Sequence, residues 1–179
     1  LELRRLEPDD PRPEFGCGDA DLDEFYHVDS NDGGRELLCV TYAIVDDSDI
    51  VLAFFSISND SIKKEDVPRS SFERMLRVLP REKRYSSMPA AKIGRLGVTA
   101  DAQGTGIGTV VLDFLKVWFV SNNKTGCRFL VVDAYNIPQV LNFYTKNGFS
   151  FMTSKDEKDP TRIMYFDLIT AAPLVDAQP

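Results

Sequence analysis

The sequence predicts an α/β fold: a mixed, mostly antiparallel central sheet with helices on both faces. Three observations carry that prediction. Two apolar, β-branched runs, LLCVTYAIV (37–45) and IVLAFFSIS (50–58), flank the turn-rich DDSD of 46–49 and read as a buried antiparallel hairpin. From Ile107, apolar residues recur at Val110, Val111, Phe114, Leu115 and Trp118, the period of an amphipathic helix that opens in a glycine-rich turn. Beyond that helix, strand and helix patterns alternate, a mixture that fits neither an all-α nor an all-β chain.

The elements follow in order. Residues 19–32, with Leu22, Phe25 and Tyr26 set among acids, form a short helix ending near Asn31, Asp32, Gly33 and Gly34. After the hairpin, SSFERMLRVL (70–79) is a helix that Pro80 stops. AAKIGRLGV (90–98) is a strand whose two glycines mark a bulge or a close backbone approach. The amphipathic helix from Ile107 comes next, then the strand CRFLVVDA (127–134). IPQVLNFYTKNG (137–148) is a helix with Pro138 in its first turn and Gly148 as its C-cap. FSFM (149–152) and RIMYFDLI (162–169) close the sheet, and the tail from 171 to 179 is loose.

The chain has 179 residues, 43% hydrophobic and 27% charged, with a formal net charge of −7. That length and the even apolar pattern predict one domain over residues 1–170 and exclude global disorder. No apolar stretch is long enough to span a membrane, and the first ten residues lack the apolar core of a signal peptide. Cys17, Cys39 and Cys127 are far apart and odd in number, which places the protein in a reducing, cytoplasmic compartment. Cys39, inside an apolar run, reads as an inert, buried small hydrophobe. No Cys or His cluster has the spacing of a metal site, so none is expected. His27, the single histidine, sits among acids and reads as a surface or interface residue.

Gln103, Gly104, Thr105, Gly106, Ile107, Gly108 and Thr109 join the strand ending at Val98 to the amphipathic helix. Small residues let backbone N–H groups converge there, and the helix dipole favours an anion such as phosphate. A Walker loop is excluded because no lysine follows the glycines, and GxGxxG fails because its third position is Thr109 or Val111. Taken alone, the turn reads equally well as a ligand-free start to a helix.

The wider pattern decides between those readings. A strand (92–98), Gln103-x-x-Gly106-x-Gly108, a helix, a strand (131–133), Asn136, Phe143-Tyr144 and Gly148-Phe149 together resemble the GNAT superfamily of N-acetyltransferases. Phe15-x-Cys17-Gly18-x3-Leu22-Asp23-x-Phe25, with Pro89-Ala90 and Gly94-Arg95-Leu96, resembles the branch that includes bacterial GNAT toxins. The resemblance implies that acetyl-CoA is the acyl donor. It implies that Leu96, Gly97 and Val98 offer backbone groups to its pantetheine arm and that residues 103–109 cradle its pyrophosphate through main-chain amides. Asn136 and Phe143 would line the other side of the cofactor, and Tyr144 would be the general acid at the sulfur. The toxin branch implies tRNA and an antitoxin as partners, and the family admits a homodimer.

The chemistry narrows what these residues can do. A free tyrosine protonating a thiol works uphill by roughly 2 kcal/mol, so Tyr144 serves chiefly as a hydrogen-bond donor to departing thiolate unless it is a core aromatic beside Phe143. Some family members place a carboxylate base on the strand before the turn; here that position is Lys92, which is unsuited to the task. An α-amino acceptor, partly neutral near pH 8, is then easier to serve than a lysine. Charge is divided along the chain. Residues 8–32 hold nine acids against one base, and residues 69–95 hold eight bases against two acids. The basic stretch can meet tRNA or the 3′-phosphate of CoA, or neutralise the acidic segment. Three functions follow: an acetyltransferase acting on a primary amine by direct attack, a toxin acetylating aminoacyl-tRNA, or a non-catalytic module that binds CoA or a protein partner.

Overall fold

The computed structural model describes residues 1–80, 85–121, 123 and 125–172. Seven strands form one sheet in the order β1-β2-β3-β4-β5-β7-β6: β1 (Glu2–Leu6), β2 (Val40–Val45), β3 (Val51–Lys63), β4 (Ser87–Val98), β5 (Phe129–Tyr135), β6 (Ser150–Phe151) and β7 (Thr161–Asp167). The helices are α1 (Ala20–Glu24), α2 (Ser30–Arg35), α3 (Arg69–Leu76), α4 (Ile107–Val120) and α5 (Pro138–Lys146). The pairs β1–β2, β2–β3, β5–β7 and β6–β7 are all antiparallel, which includes the expected hairpin (β2–β3) and closing pair (β6–β7). The chain divides into two compact units, Leu1–Ser58 with Ile93–Leu115 and Asn59–Lys92 with Lys116–Pro179.

In the first unit, Phe54 and Phe55 are neighbours on β3 and therefore point to opposite faces of the sheet. On the Phe54 side, Leu6, Phe15, Tyr26, Ala43, Val45 and Val51 complete an apolar cluster that Leu22 and Phe25 of the helical segment join. On the other side, Phe55 meets Tyr42 at 5.4 Å and Phe114 of α4 at 6.5 Å between ring centroids. The helix expected over 19–32 is α1, a π turn (Phe25–Asp29) and α2 in succession, started by the Asp19 carboxylate accepting from the amides of Asp21 and Leu22. Strand β1 is absent from the sequence reading. Its ELRRL run has no apolar alternation, and it forms because an edge position beside β2 tolerates two arginines. Cys39 is also corrected: it precedes β2 and is half-buried.

In the second unit, Phe72 and Met75 of α3 pack on Ile62, Met88, Ala90, Phe129, Val131 and Met152. The opposite face of β7 presents Phe166 to Phe149 at 5.6 Å and to the Lys116 ammonium at 5.0 Å. Helix α5 starts at Pro138, and its cap lies one residue earlier than the sequence indicates: Asn147 is the C-cap and Gly148, at φ +83°, follows it. The 171–179 tail, from residue 173 onward, and Arg81, Glu82, Lys83 and Arg84 of the basic stretch lie outside the described residues.

Candidate functional site

The first unit holds the glycine turn. A close approach explains Gly97: a Cβ there would stand 2.6 Å from Phe54 and 3.2 Å from Phe15, so only glycine lets β4 run across those rings. After Val98 the chain passes through a 3-10 turn (Ala100–Ala102) into Gly104 and Gly106, at φ +77° and +96°. Those angles belong to glycine, and nothing lies within 4 Å of where either Cβ would be. The turn is therefore bare backbone leading into the first turn of α4, whose N–H groups lack intrahelical acceptors.

The side chains of the turn are directed back into the protein. The Gln103 carboxamide donates to the carbonyls of Cys17 (2.8 Å) and Val98 (3.1 Å), and the Thr105 hydroxyl donates to Ala102 O (2.7 Å). What remains for a phosphate is main chain, exposed at Gly104 and Gly106, half-buried at Ile107, buried at Gly108 and exposed again at Thr109. An open, amide-lined turn at a helix N-terminus fits the pyrophosphate of acetyl-CoA. Leu96 and Val98 are half-buried on β4 beside Gly97.

The second unit holds Asn136, Phe143 and Tyr144. Helix α5 ends with the amides of Gly148 and Phe149 turned back onto the carbonyls of Thr145 and Tyr144, at 3.0 Å each. That closure holds Tyr144 in place, its ring edge-on between Phe143 (5.1 Å) and Phe149 (5.3 Å). Tyr144 is 6% exposed, and burial raises the pKa of its phenol above the ordinary tyrosine value. The hydroxyl stays protonated across neutral pH and has no hydrogen-bond partner among the described residues. Asn136 is engaged differently: its side-chain amide donates to the carbonyls of Glu157 (3.0 Å) and Asp159 (2.8 Å), and its backbone N–H to Pro160 O (2.9 Å). Its two side-chain protons therefore hold the 157–160 segment, which leaves its carbonyl oxygen for a ligand.

Lys92, the residue at the base position, reaches across to the neighbouring strand, with Nζ 2.5 Å from Asp133 Oδ2. No periodicity argument could have found Asp133, because the pairing of β4 with β5 is not encoded locally. Lys92 and Asp133 stand on the sheet face of Ala90 and Val131, two residues before each in its own strand, opposite the face of Phe166. His27 is exposed, as expected, and its Nε2 lies 2.9 Å from the carbonyl oxygen of Phe15, which it reaches as donor. Of the basic stretch, Arg95 pairs with Asp21 (3.3 Å) and Arg69 with Glu73 (2.6 Å), while Arg74 on α3 and Arg77 at its C-cap are exposed. Among the described residues, no group of three or more His, Cys, Asp or Glu could hold a metal ion, and no helix is long and apolar enough to cross a membrane.

Comparison with known proteins joins these observations. Solved structures that the chain resembles include a bacterial toxin (TM-score 0.78, 18% identity, covering 99% of this chain and 96% of that one). They also include AtaT complexed with acetyl-methionyl-tRNAfMet (0.76, 19%, 97% and 98%) and AtaTR bound with AcCoA (0.75, 18%, 97% and 96%). At these identities the likeness establishes the fold. The model of the acetyltransferase (GNAT) family matches residues 7–149, from the acidic N-terminal segment through the glycine turn to the Gly-Phe pair after α5. The chain belongs to the acetyltransferase (GNAT) family, and it is an acyltransferase that takes its acetyl group from acetyl-CoA.

Proposed function

We propose that the protein acetylates a primary amine by direct attack, with Tyr144 donating a hydrogen bond to the departing thiolate. The observation that carries this reading is the Tyr144 phenol, a side chain held between aromatic rings whose hydroxyl meets no partner among the described residues. A hydroxyl that spends no bond within the protein keeps its donor for a ligand atom. The raised pKa makes full proton transfer harder and favours a stabilising hydrogen bond, since the phenol resists ionisation. Acetyl-CoA supplies the thioester; the main-chain amides of residues 103–109 hold its pyrophosphate, and Leu96, Gly97 and Val98 hold its pantetheine arm. Phe143 and the Asn136 carbonyl oxygen complete the contacts we assign to the cofactor.

For the acceptor we favour the α-amino group of an aminoacyl-tRNA over a lysine side chain. Lys92 and Asp133 neutralise each other, which leaves the base position of β4 without an unpaired carboxylate, and an α-amine near its pKa needs the least help. Arg74 on α3 and Arg77 at its C-cap, with Lys63 and Lys64 before that helix, offer cations to phosphates. AtaT, of the same fold, is found with acetyl-methionyl-tRNAfMet, and a mutant of it is found bound to the C-terminus of the antitoxin AtaR. An antitoxin and a reducing cytoplasm belong to the same proposal; Cys17, Cys39 and Cys127 are all unpaired.

The test is CoA release with polyamines, peptide N-termini and charged tRNA as acceptors. The tRNA should be acetylated fastest, and its reaction should slow steeply with salt. Tyr144→Phe should lower kcat by about 10²-fold while acetyl-CoA binds as before. No CoA release with any amine would leave only the module that binds without turnover, and full activity in Tyr144→Phe would remove the assigned role.

A further inference from the structure

We propose that residues 15–23 are a brace that sets the shape of the glycine turn and that Gln103 is a positioning residue, acting on acetyl-CoA through that brace. The proposal rests on the reading of residues 103–109 as the pyrophosphate cradle and deepens it. Everything it uses lies in the first unit. Gln103 is the residue at which the chain leaves the 3-10 turn for the glycines, and its two donor contacts go to Cys17 O and Val98 O. A side chain committed at 2.8 and 3.1 Å to two carbonyls ties the start of the turn to the end of β4 and to a segment 86 residues away.

Further bonds close the same joint. The Ala100 amide and the Thr99 hydroxyl both donate to Gly16 O, at 2.9 and 3.2 Å. The segment that accepts these bonds is itself fixed. Asp23 Oδ1 accepts from the Cys17 amide at 2.8 Å and from the Cys17 thiol at 3.1 Å, His27 Nε2 donates to Phe15 O, and Arg95 on β4 reaches Asp21 at 3.3 Å. The aspartate stays ionised to lower pH than a free one, chiefly because the Cys17 amide points at it. Three successive carbonyls, of Phe15, Gly16 and Cys17, thus accept from His27, from Thr99 and Ala100, and from Gln103. Since the turn binds with main chain, its affinity depends on where the main chain is held. Gly104 and Gly106 have no side-chain contact of their own to hold them.

The experiment measures acetyl-CoA affinity by calorimetry and amide hydrogen exchange at Ala100 in the ligand-free chain. Gln103→Leu should weaken binding about tenfold, the worth of one or two lost hydrogen bonds, and should speed exchange at Ala100. Gln103→Arg, which keeps N–H donors on a long stem, should recover most of both. Asp23→Asn, which loosens the segment with no change at the turn, should weaken binding as well, and the double variant should be no worse than Gln103→Leu alone within about twofold. Losses that multiply in the double variant would mean that Gln103 meets the phosphate directly, and the brace is then wrong. Wild-type affinity and Ala100 exchange in Gln103→Leu would equally overturn it. A wild-type chain that binds no acetyl-CoA overturns the cradle reading, and the proposal with it. Those outcomes are distinguishable, since the first two require a wild type that binds.

Discussion

Tyr26 and Tyr144 are both buried side chains whose hydroxyls meet no partner among the described residues, but only the Tyr26 oxygen is itself fully enclosed, and the two have opposite prospects. Tyr26 lies in the apolar cluster of the first unit, 4.8 Å from Phe15 and 5.1 Å from Phe54 between ring centroids, with no ligand role to redeem its hydroxyl. Tyr26→Phe should therefore raise stability by roughly 1 kcal/mol in urea unfolding, because it removes a polar atom that burial leaves unpaired. Burial pushes the Tyr26 pKa up to about 12, against a small opposing pull from Arg12 and Arg4. A native pKa above the unfolded value gives stability that is complete below about pH 10 and lost as pH rises from there toward 12, since only the unfolded chain ionises in that window. Unfolding free energies measured from pH 8 to 11 should fall above pH 10, and less steeply in Tyr26→Phe. An equal slope in both chains would count against this assignment. Tyr26 and Tyr144 are legible in sequence as aromatic positions; that one is merely enclosed while the other heads a catalytic proposal depends on neighbours that spacing does not reveal.

Two helices end in the same way with different residues. In α5 the residue after the cap is Gly148 at φ +83°, and in α2 it is Leu37 at φ +59°. Both ends make the paired bonds of the motif: Leu38 N to Gly33 O (2.8 Å) and Leu37 N to Gly34 O (3.2 Å) match those of Phe149 and Gly148. A leucine in that left-handed conformation costs about 1–2 kcal/mol, and at 91% exposure Leu37 gains no packing in return. Leu37→Gly should raise the melting temperature by a few degrees, about 0.5–1 kcal/mol after the glycine's extra unfolded-state entropy is counted. An unchanged or lower Tm would show that Leu37 is stabilised by something other than backbone geometry. The sequence indicated where both helices stop, because Gly33-Gly34 and Asn147-Gly148 are turn formers. It pointed away from Leu37, where the hydrogen-bond pattern overrides residue preference.

At the scale of the whole chain, β3, β4 and α4 each begin in one compact unit and finish in the other. Domain boundaries ordinarily fall in linkers, and here they cut through regular elements. We propose that residues 1–170 are one folding domain. Far- and near-ultraviolet circular dichroism should then report a single coincident urea transition, and two separated transitions would sink the one-domain reading. The charge division has a structural sequel. Within the acidic segment Asp9 and Asp32 share Arg35, Asp21 takes Arg95, and Asp19 and Asp23 accept backbone amides. The segment is thus partly neutralised by its own unit, and Arg74 and Arg77 stand exposed at α3 and its C-cap.

Local pattern alone determined the mixed sheet, the hairpin and the amphipathic α4, because periodicity and punctuation are properties of neighbouring residues; the roles of Tyr144 and the glycine turn came instead from the resemblance to the GNAT superfamily. The net charge of −7 was equally plain, though it said little about acceptors. Only the tertiary structure decided what those residues touch. It gave the Gln103 side chain to Cys17 and Val98, gave the amide of Asn136 to the 157–160 segment, and set Asp133 beside Lys92. The reason is distance along the chain: each of these contacts joins segments whose pairing is settled by packing, and no local propensity encodes it.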